Sequence, residues 1–153
     1  MAAEEGGLIV EPGQVMARKK SWREKMDNGR EPHVVVLEKP YAGVPAGAKL
    51  LISSPREVAG EIRKVRRGRT LSIQNLRERL AKRHGADAAC PTSTSIFVRI
   101  VAEATLEDVG SGLTMDKATP FWRVIEPDSA LAAKLSCGPD LIRHQRTVEA
   151  QES

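Results

Sequence analysis

Apolar residues recur at helical spacing through the middle of the chain and in short unbroken runs before it. Val58, Ile62 and Val65 follow at intervals of four and three, which places them on one face of a helix. Ahead of them, Ser54-Pro55-Arg56-Glu57 has the form of a capping box with proline at the first helical position, and Gly68 is the expected stop. Ile73, Leu76 and Leu80 form a second stripe, in a helix capped by Ser72 and ended at His84-Gly85. A six-residue connection, Ala86 to Pro91, leads to a third helix starting within Thr92-Ser93-Thr94-Ser95. Its apolar side is read as Ile96, Phe97, Ile100, Val101 and Ala104. Thr92, Ser95 and Arg99, with Ala102 or Glu103, are left to the opposite side.

The flanks are less regular. His33 to Leu37 is a β-branched run between Pro32 and Pro40, and Lys49 to Ile52 is a second short apolar run; both suit short strands. Downstream, Thr119 to Ile125 reads as an extended apolar segment and Ala130 to Leu135 as a helical turn. Gly138-Pro139-Asp140 opens a final helix with Leu141, Ile142 and Val148, whose last residues are expected to fray. Residues 1–20 read as a flexible tail, 21–53 as an extension with short strands, and 54–150 as the main domain. The basic stretch from Arg18 to Met26 surrounds Trp22 and suits either a short helix docked by that ring or an arm along a nucleic-acid backbone. The predicted fold class is mainly α with small β elements, a winged helix-turn-helix-like DNA-binding domain.

Composition sets the frame for these elements. The 153 residues suit one domain, and 41% apolar with 29% charged residues suits a globular chain. Aromatics are 3%, so the core must be aliphatic. No apolar run approaches the roughly 20 residues that span a bilayer, and the first residues lack the basic start and apolar stretch of a signal peptide. A cytoplasmic location without membrane contact is expected. Cys90 and Cys137 are 47 positions apart and are expected to be free thiols. His33, His84 and His144 are scattered, so no metal or other cofactor is expected.

Charge placement changes the picture more than its total of +4. Between Glu61 and His84 stand nine Lys/Arg against two acids. Such a concentration attracts polyanions and releases their condensed counterions, although a solvated helix face has the same composition. Helix, connection and helix with Ser, Thr and Arg on the free side is the pattern of a helix-turn-helix. The candidate DNA contacts are Arg66, Arg67, Arg69, Ser72, Arg77, Thr92, Ser95 and Arg99. Arg66, Arg67 and Arg69 suit phosphates, which carry charge but no sequence code. Arg99 is equally placed to pair with Glu103 at i,i+4.

Three features then resemble the C-terminal domain of the O6-alkylguanine-DNA alkyltransferases, and more closely its alkyltransferase-like members that lack the reactive cysteine. They are the helix followed by Arg67-Gly68-Arg69-Thr70-Leu71-Ser72, the recognition-type helix downstream, and Thr119-Pro120-Phe121-Trp122-Arg123-Val124-Ile125. The last matches the family's Pro-Cys-His-Arg-Val at the Pro, Arg and Val. The resemblance covers about two-thirds of the chain and implies double-stranded DNA as partner, alkylated guanine as the lesion, and a repair-pathway protein that acts next. It also implies a base pocket at Pro120, Phe121, Trp122 and Arg123. Phe121 and Trp122 stand where the nucleophilic cysteine and its histidine would be, and neither can accept an alkyl group or take a thiol proton. The tyrosine expected after Ser72 is Ile73, and the family's intercalating arginine falls near Ile96.

The reading is therefore a non-catalytic DNA-binding protein. One alternative is a DNA alkyltransferase with a displaced nucleophile, Cys90 or Cys137. Another is a scaffold repurposed for a ligand or protein, which calls for a formed pocket around 121–123. Phe121 and Trp122 suit a stacking platform for an extruded base or plain core packing.

Overall fold

The computed structural model describes residues 20–152. Among the described residues, six α-helices run in the order α1 (Trp22–Met26), α2 (Pro55–Arg63), α3 (Ile73–Arg83), α4 (Pro91–Gly110), α5 (Ala130–Lys134) and α6 (Gly138–Glu152). Three short strands, β1 (His33–Val36), β2 (Lys49–Ile52) and β3 (Ala88–Ala89), form one sheet in that order. The chain is thus mainly helical with a small sheet. Except for Lys20, the N-terminal tail expected over 1–20 lies outside the described residues.

Local chemistry accounts for most of the boundaries. Ser54 accepts the Glu57 amide at 3.2 Å and so caps α2. The reciprocal half of the expected capping box is not made by Glu57, whose carboxylate instead accepts the Ser53 hydroxyl and pairs with Arg83 and His84. The helix also ends at Arg63, ahead of Gly68. Val65 still reaches the core from the loop. Ser72 caps α3 through the Asn75 amide at 3.0 Å, and Gly85, at φ 65°, lets the chain leave it. Leu76 and Leu80 are fully buried, each contributing about 2 kcal/mol of burial.

The connection from α3 to α4 is more than a turn. Ala88 and Ala89 pair in parallel with Leu50 and Leu51, while β1 pairs antiparallel on the other side of β2. The third helix begins at Pro91, with Cys90 as its N-cap. Ile100, Val101 and Ala104 are buried as expected, joined by Thr94, Val98, Ala102 and Thr105, whereas Ile96 is 53% exposed. Apolar residues go most of the way round α4, so spacing alone does not single out its buried side. Both flanks are covered, by α1 and by α2. Trp22 and Arg23 donate their amides to Glu107 of α4 at 3.0 and 2.9 Å, so the described part of the basic segment carries a docked helix, Trp22–Met26; Arg18 and Lys19 lie outside the described residues.

Two further expectations give way. The segment at 119–125 is not extended: Phe121–Arg123 is a 3-10 turn. The end of α6 does not fray before Glu152, because Glu149 is buried within the core and Glu152 is ion-paired to Arg67. No described helix is long and apolar enough to cross a membrane.

Candidate nucleic-acid interface

The basic segment divides by what its neighbours neutralise. Glu61, buried in α2, takes Lys64 at 2.7 Å and Arg83 at 3.1 Å. Glu57 takes His84 and the other side of Arg83. Arg67 is held by Glu152 and lies 3.7 Å from Glu149, and these contacts raise its pKa. Arg66, Arg69, Arg77, Arg79 and Lys82 have no carboxylate partner among the described residues. All but Arg77 are exposed; Arg77 is half-buried.

The uncommitted cations line connected clefts along α3. A cleft of about 360 Å³ between the α2–α3 loop and α3 is bounded by Arg66, Arg69 and Arg79. Arg79 and Leu71 also bound the next one, with Asn75 and Lys82. Lys82 and Glu78 carry the surface on to a cleft of about 410 Å³, where Gln74 and Arg77 face the Ala42–Val44 turn and Pro91. The surface therefore runs from the α2–α3 loop to the start of α4. Arg79, left out of the candidate contacts above, is its central member; its signal was a place on the exposed face of the second helix.

The start of α4 presents Thr92 and Ile96 to solvent, with Ser95 half-buried. The Tyr41 hydroxyl donates to Thr92 Oγ1 at 3.3 Å from a turn in which Ala42 has φ 51° and Gly43 φ 83°. Positive φ at a residue with a side chain is uncommon, so this turn is held against its local preference. Ser72, the cap of α3, is exposed.

Arg99 stands apart from the other candidates. It does not pair with Glu103. Its guanidinium lies over the Trp22 ring, 5.4 Å from the centroid, and donates to the Lys134 carbonyl at 3.4 Å. Glu103, expected on the free side, is buried and accepts the Ser136 amide at 3.0 Å and its hydroxyl. With α1 and α2 packed on α4, its exposed residues near the N-terminus are Thr92 and Ile96.

The residues expected to form a base pocket are in the core. Phe121 is 0% and Trp122 2% exposed, in edge-to-face contact with centroids 5.4 Å apart. Pro120 is buried beside them. Trp122 donates its indole N–H to Glu149, and Arg123 forks onto both oxygens of that carboxylate at 2.9 and 2.8 Å. Arg123 also donates to the Val65 carbonyl at 2.7 Å. The 3-10 turn that carries these rings packs against α6.

The two thiols differ in setting. Burial disfavours the Cys90 thiolate, but hydrogen bonding with Ser93, with the Tyr41 hydroxyl and with the Thr92 backbone outweighs it, so its pKa is lowered. The Ser93 amide donates to its sulfur at 3.5 Å, and the thiol is only 4% exposed. Burial and the Glu103 charge push the Cys137 thiol up. Among the described residues no three His, Cys, Asp or Glu side chains converge as a metal site. No protein-family model, curated protein or solved structure matches this chain.

Proposed function

We propose that the chain binds double-stranded DNA through the α2–α3 loop, the exposed face of α3 and the first turn of α4, without doing chemistry on it. The observation that carries this reading is the sorting of charge. Buried Glu61 and neighbouring Glu57 neutralise Lys64 and Arg83, and leave Arg66, Arg69, Arg77, Arg79 and Lys82 uncommitted along one continuous surface. Free cations on one face favour the phosphate backbone, whose binding releases counterions. Thr92, Ser95 and Ile96 at the end of that surface are the groups offered to base edges or base steps.

The resemblance to alkyltransferase-like proteins supplies the finer reading: recognition of alkylated guanine and its transfer to a repair-pathway protein. Phe121 and Trp122, which the resemblance sets at the family's pocket, are buried, so under this reading a lesion would have to be sensed on the duplex surface. Fluorescence anisotropy of a labelled duplex against salt tests the main reading. Log affinity is expected to fall linearly with log salt, by about 0.9 per phosphate neutralised. Salt-independent or undetectable binding overturns it. Competition between O6-methylguanine and undamaged duplexes tests the finer one, equal affinities counting against lesion recognition.

One observation favours a second reading, a DNA alkyltransferase with Cys90 as nucleophile: at the N-cap of α4 its sulfur accepts the Ser93 amide at 3.5 Å, a setting that lowers its pKa. Its sulfur would displace the alkyl carbon from guanine O6, forming a thioether as the purine oxygen leaves and its ring regains a proton. Mass spectrometry of the Cys90 peptide after incubation with O6-methylguanine duplex decides it, an unmodified peptide removing the reading. Cys137, with its thiol pushed up, is poorly suited to that role.

A further inference from the structure

The cleft between the α2–α3 loop and α3 is lined by charge of one sign, positive. Its lining is Lys64, Val65, Arg66, Arg69, Thr70, Leu71 and Arg79, four cations and no carboxylate, around about 360 Å³. Lys64 is neutralised by Glu61 from outside that lining. The guanidinium groups of Arg66, Arg69 and Arg79 have no such partner among the described residues.

The loop that brings them together is anchored. The Arg69 amide donates to the Arg66 carbonyl at 3.0 Å, closing a turn through Gly68 at φ 82°. On its far side the Leu71 amide donates to the Arg123 carbonyl at 2.9 Å, and Leu71 is buried. Beneath, the Gly68 amide points to buried Glu149 at 3.5 Å. Arg66 and Arg69 thus sit on a backbone pinned to the core, and Arg79 on a capped helix opposite. Guanidinium groups held around one opening repel one another, and a multiply charged oxyanion removes that repulsion while accepting paired N–H donors.

We propose that this cleft is a discrete phosphate-binding site, gripping one phosphoryl group between the α2–α3 loop and Arg79. The proposal deepens the DNA reading by naming where the backbone is clamped. The same chemistry fits a phosphodiester of a nucleic acid and a free phosphate monoanion or dianion. The two sources separate by experiment.

The test is calorimetric titration and thermal melting of the whole chain with pyrophosphate, against sodium chloride at matched ionic strength. Run beside it are duplex binding by anisotropy and the variants Arg69→Gln, Arg79→Gln and, as control, Arg143→Gln, whose partners Asp128 and Asp140 lie away from the cleft. Arg69 and Arg79 are exposed, and circular dichroism checks that their variants fold. The expected result is saturable pyrophosphate binding with a raised melting temperature, weakened about tenfold in each cleft variant and unchanged in the control. Pyrophosphate should also displace duplex. A response no larger than chloride, or equal in all three variants, overturns the site. Duplex binding that persists without a pyrophosphate response removes the site and leaves the DNA reading standing. Pyrophosphate binding with no duplex binding keeps the site, assigns it to free phosphate, and removes the DNA reading.

Discussion

Trp122 donates its indole N–H to Glu149 Oε2 at 2.9 Å, across 27 residues and inside the core. The same carboxylate takes the fork of Arg123 and reaches the Gly68 amide, so one buried charge joins α6, the 3-10 turn and the α2–α3 loop. Burial pushes the Glu149 pKa up, and the hydrogen bonds from Arg123 and Trp122 pull it down by more, leaving it lowered. A folded-state carboxyl below its unfolded value stabilises the fold above that unfolded value, and the contribution is lost as pH falls through the folded pKa. Glu149→Gln should cost about 3 kcal/mol at neutral pH, because Arg123 is left buried without its charge partner. Its stability should also fall less than the wild type's on acidification. Urea unfolding at a series of pH values checks both; parallel acid limbs would show that Glu149 does not carry this dependence.

Arg67 and Arg69 are two positions apart and differ in commitment. Arg67 is held by Glu152 and Glu149, whereas Arg69 faces the cleft unpaired. Under the DNA reading, Arg69→Ala and Arg79→Ala should each reduce the salt slope by about one. Arg67→Ala should change it less, since its charge is already matched in the free protein. Anisotropy titrations across a salt series measure the slopes. Equal losses for all three would mean that the Arg67 ion pairs open on binding.

Arg99 is expected to act on the fold and not on the ligand. Arg99→Ala removes the guanidinium over Trp22 and its bond to Lys134, which should alter tryptophan emission and lower the melting temperature. The salt slope of duplex binding should stay unchanged. A slope reduced by about one, with unaltered emission, would return Arg99 to the interface.

Cys90 and Cys137 should ionise in opposite directions from an ordinary thiol, Cys90 at lower pH and Cys137 at higher. Iodoacetamide alkylation of the Cys137→Ser and Cys90→Ser variants across pH gives each midpoint from the rising limb. Tyr41→Phe removes one stabilising hydroxyl and should move the Cys90 midpoint up. Midpoints in the reverse order would contradict the hydrogen bonding described at the start of α4.

Much of the fold was legible locally. Ser54 and Ser72 announced their helices, and His33–Val36 and Lys49–Ile52 were readable as strands from their branched and apolar runs. Other elements needed partners distant in sequence. Ala88-Ala89 is a strand only because Leu50 and Leu51 lie beside it, and nothing in two alanines marks that. Ile96, expected on the apolar side of α4, is exposed because that helix is apolar on several sides and its orientation is chosen by α1 and α2. Glu103, set with Ala102 on the free side of its helix by spacing, is buried where Ser136 supplies donors, and Glu149, which no local pattern marks, is buried where Trp122 and Arg123 do.

For the candidate site the division follows the range of the forces. Sequence alone determined that positive charge concentrates between residues 61 and 84 and that a capped helix presents it, because composition and capping act within a few residues. Tertiary structure decided which of those charges remain free. Ion pairing depends on carboxylates brought within a few ångströms by folding. Glu61 reaches Arg83 across 22 residues, and Glu152 reaches Arg67 across 85. That sorting withdraws Arg67 and Arg83 from the exposed field and leaves Arg66, Arg69 and Arg79 around one cleft.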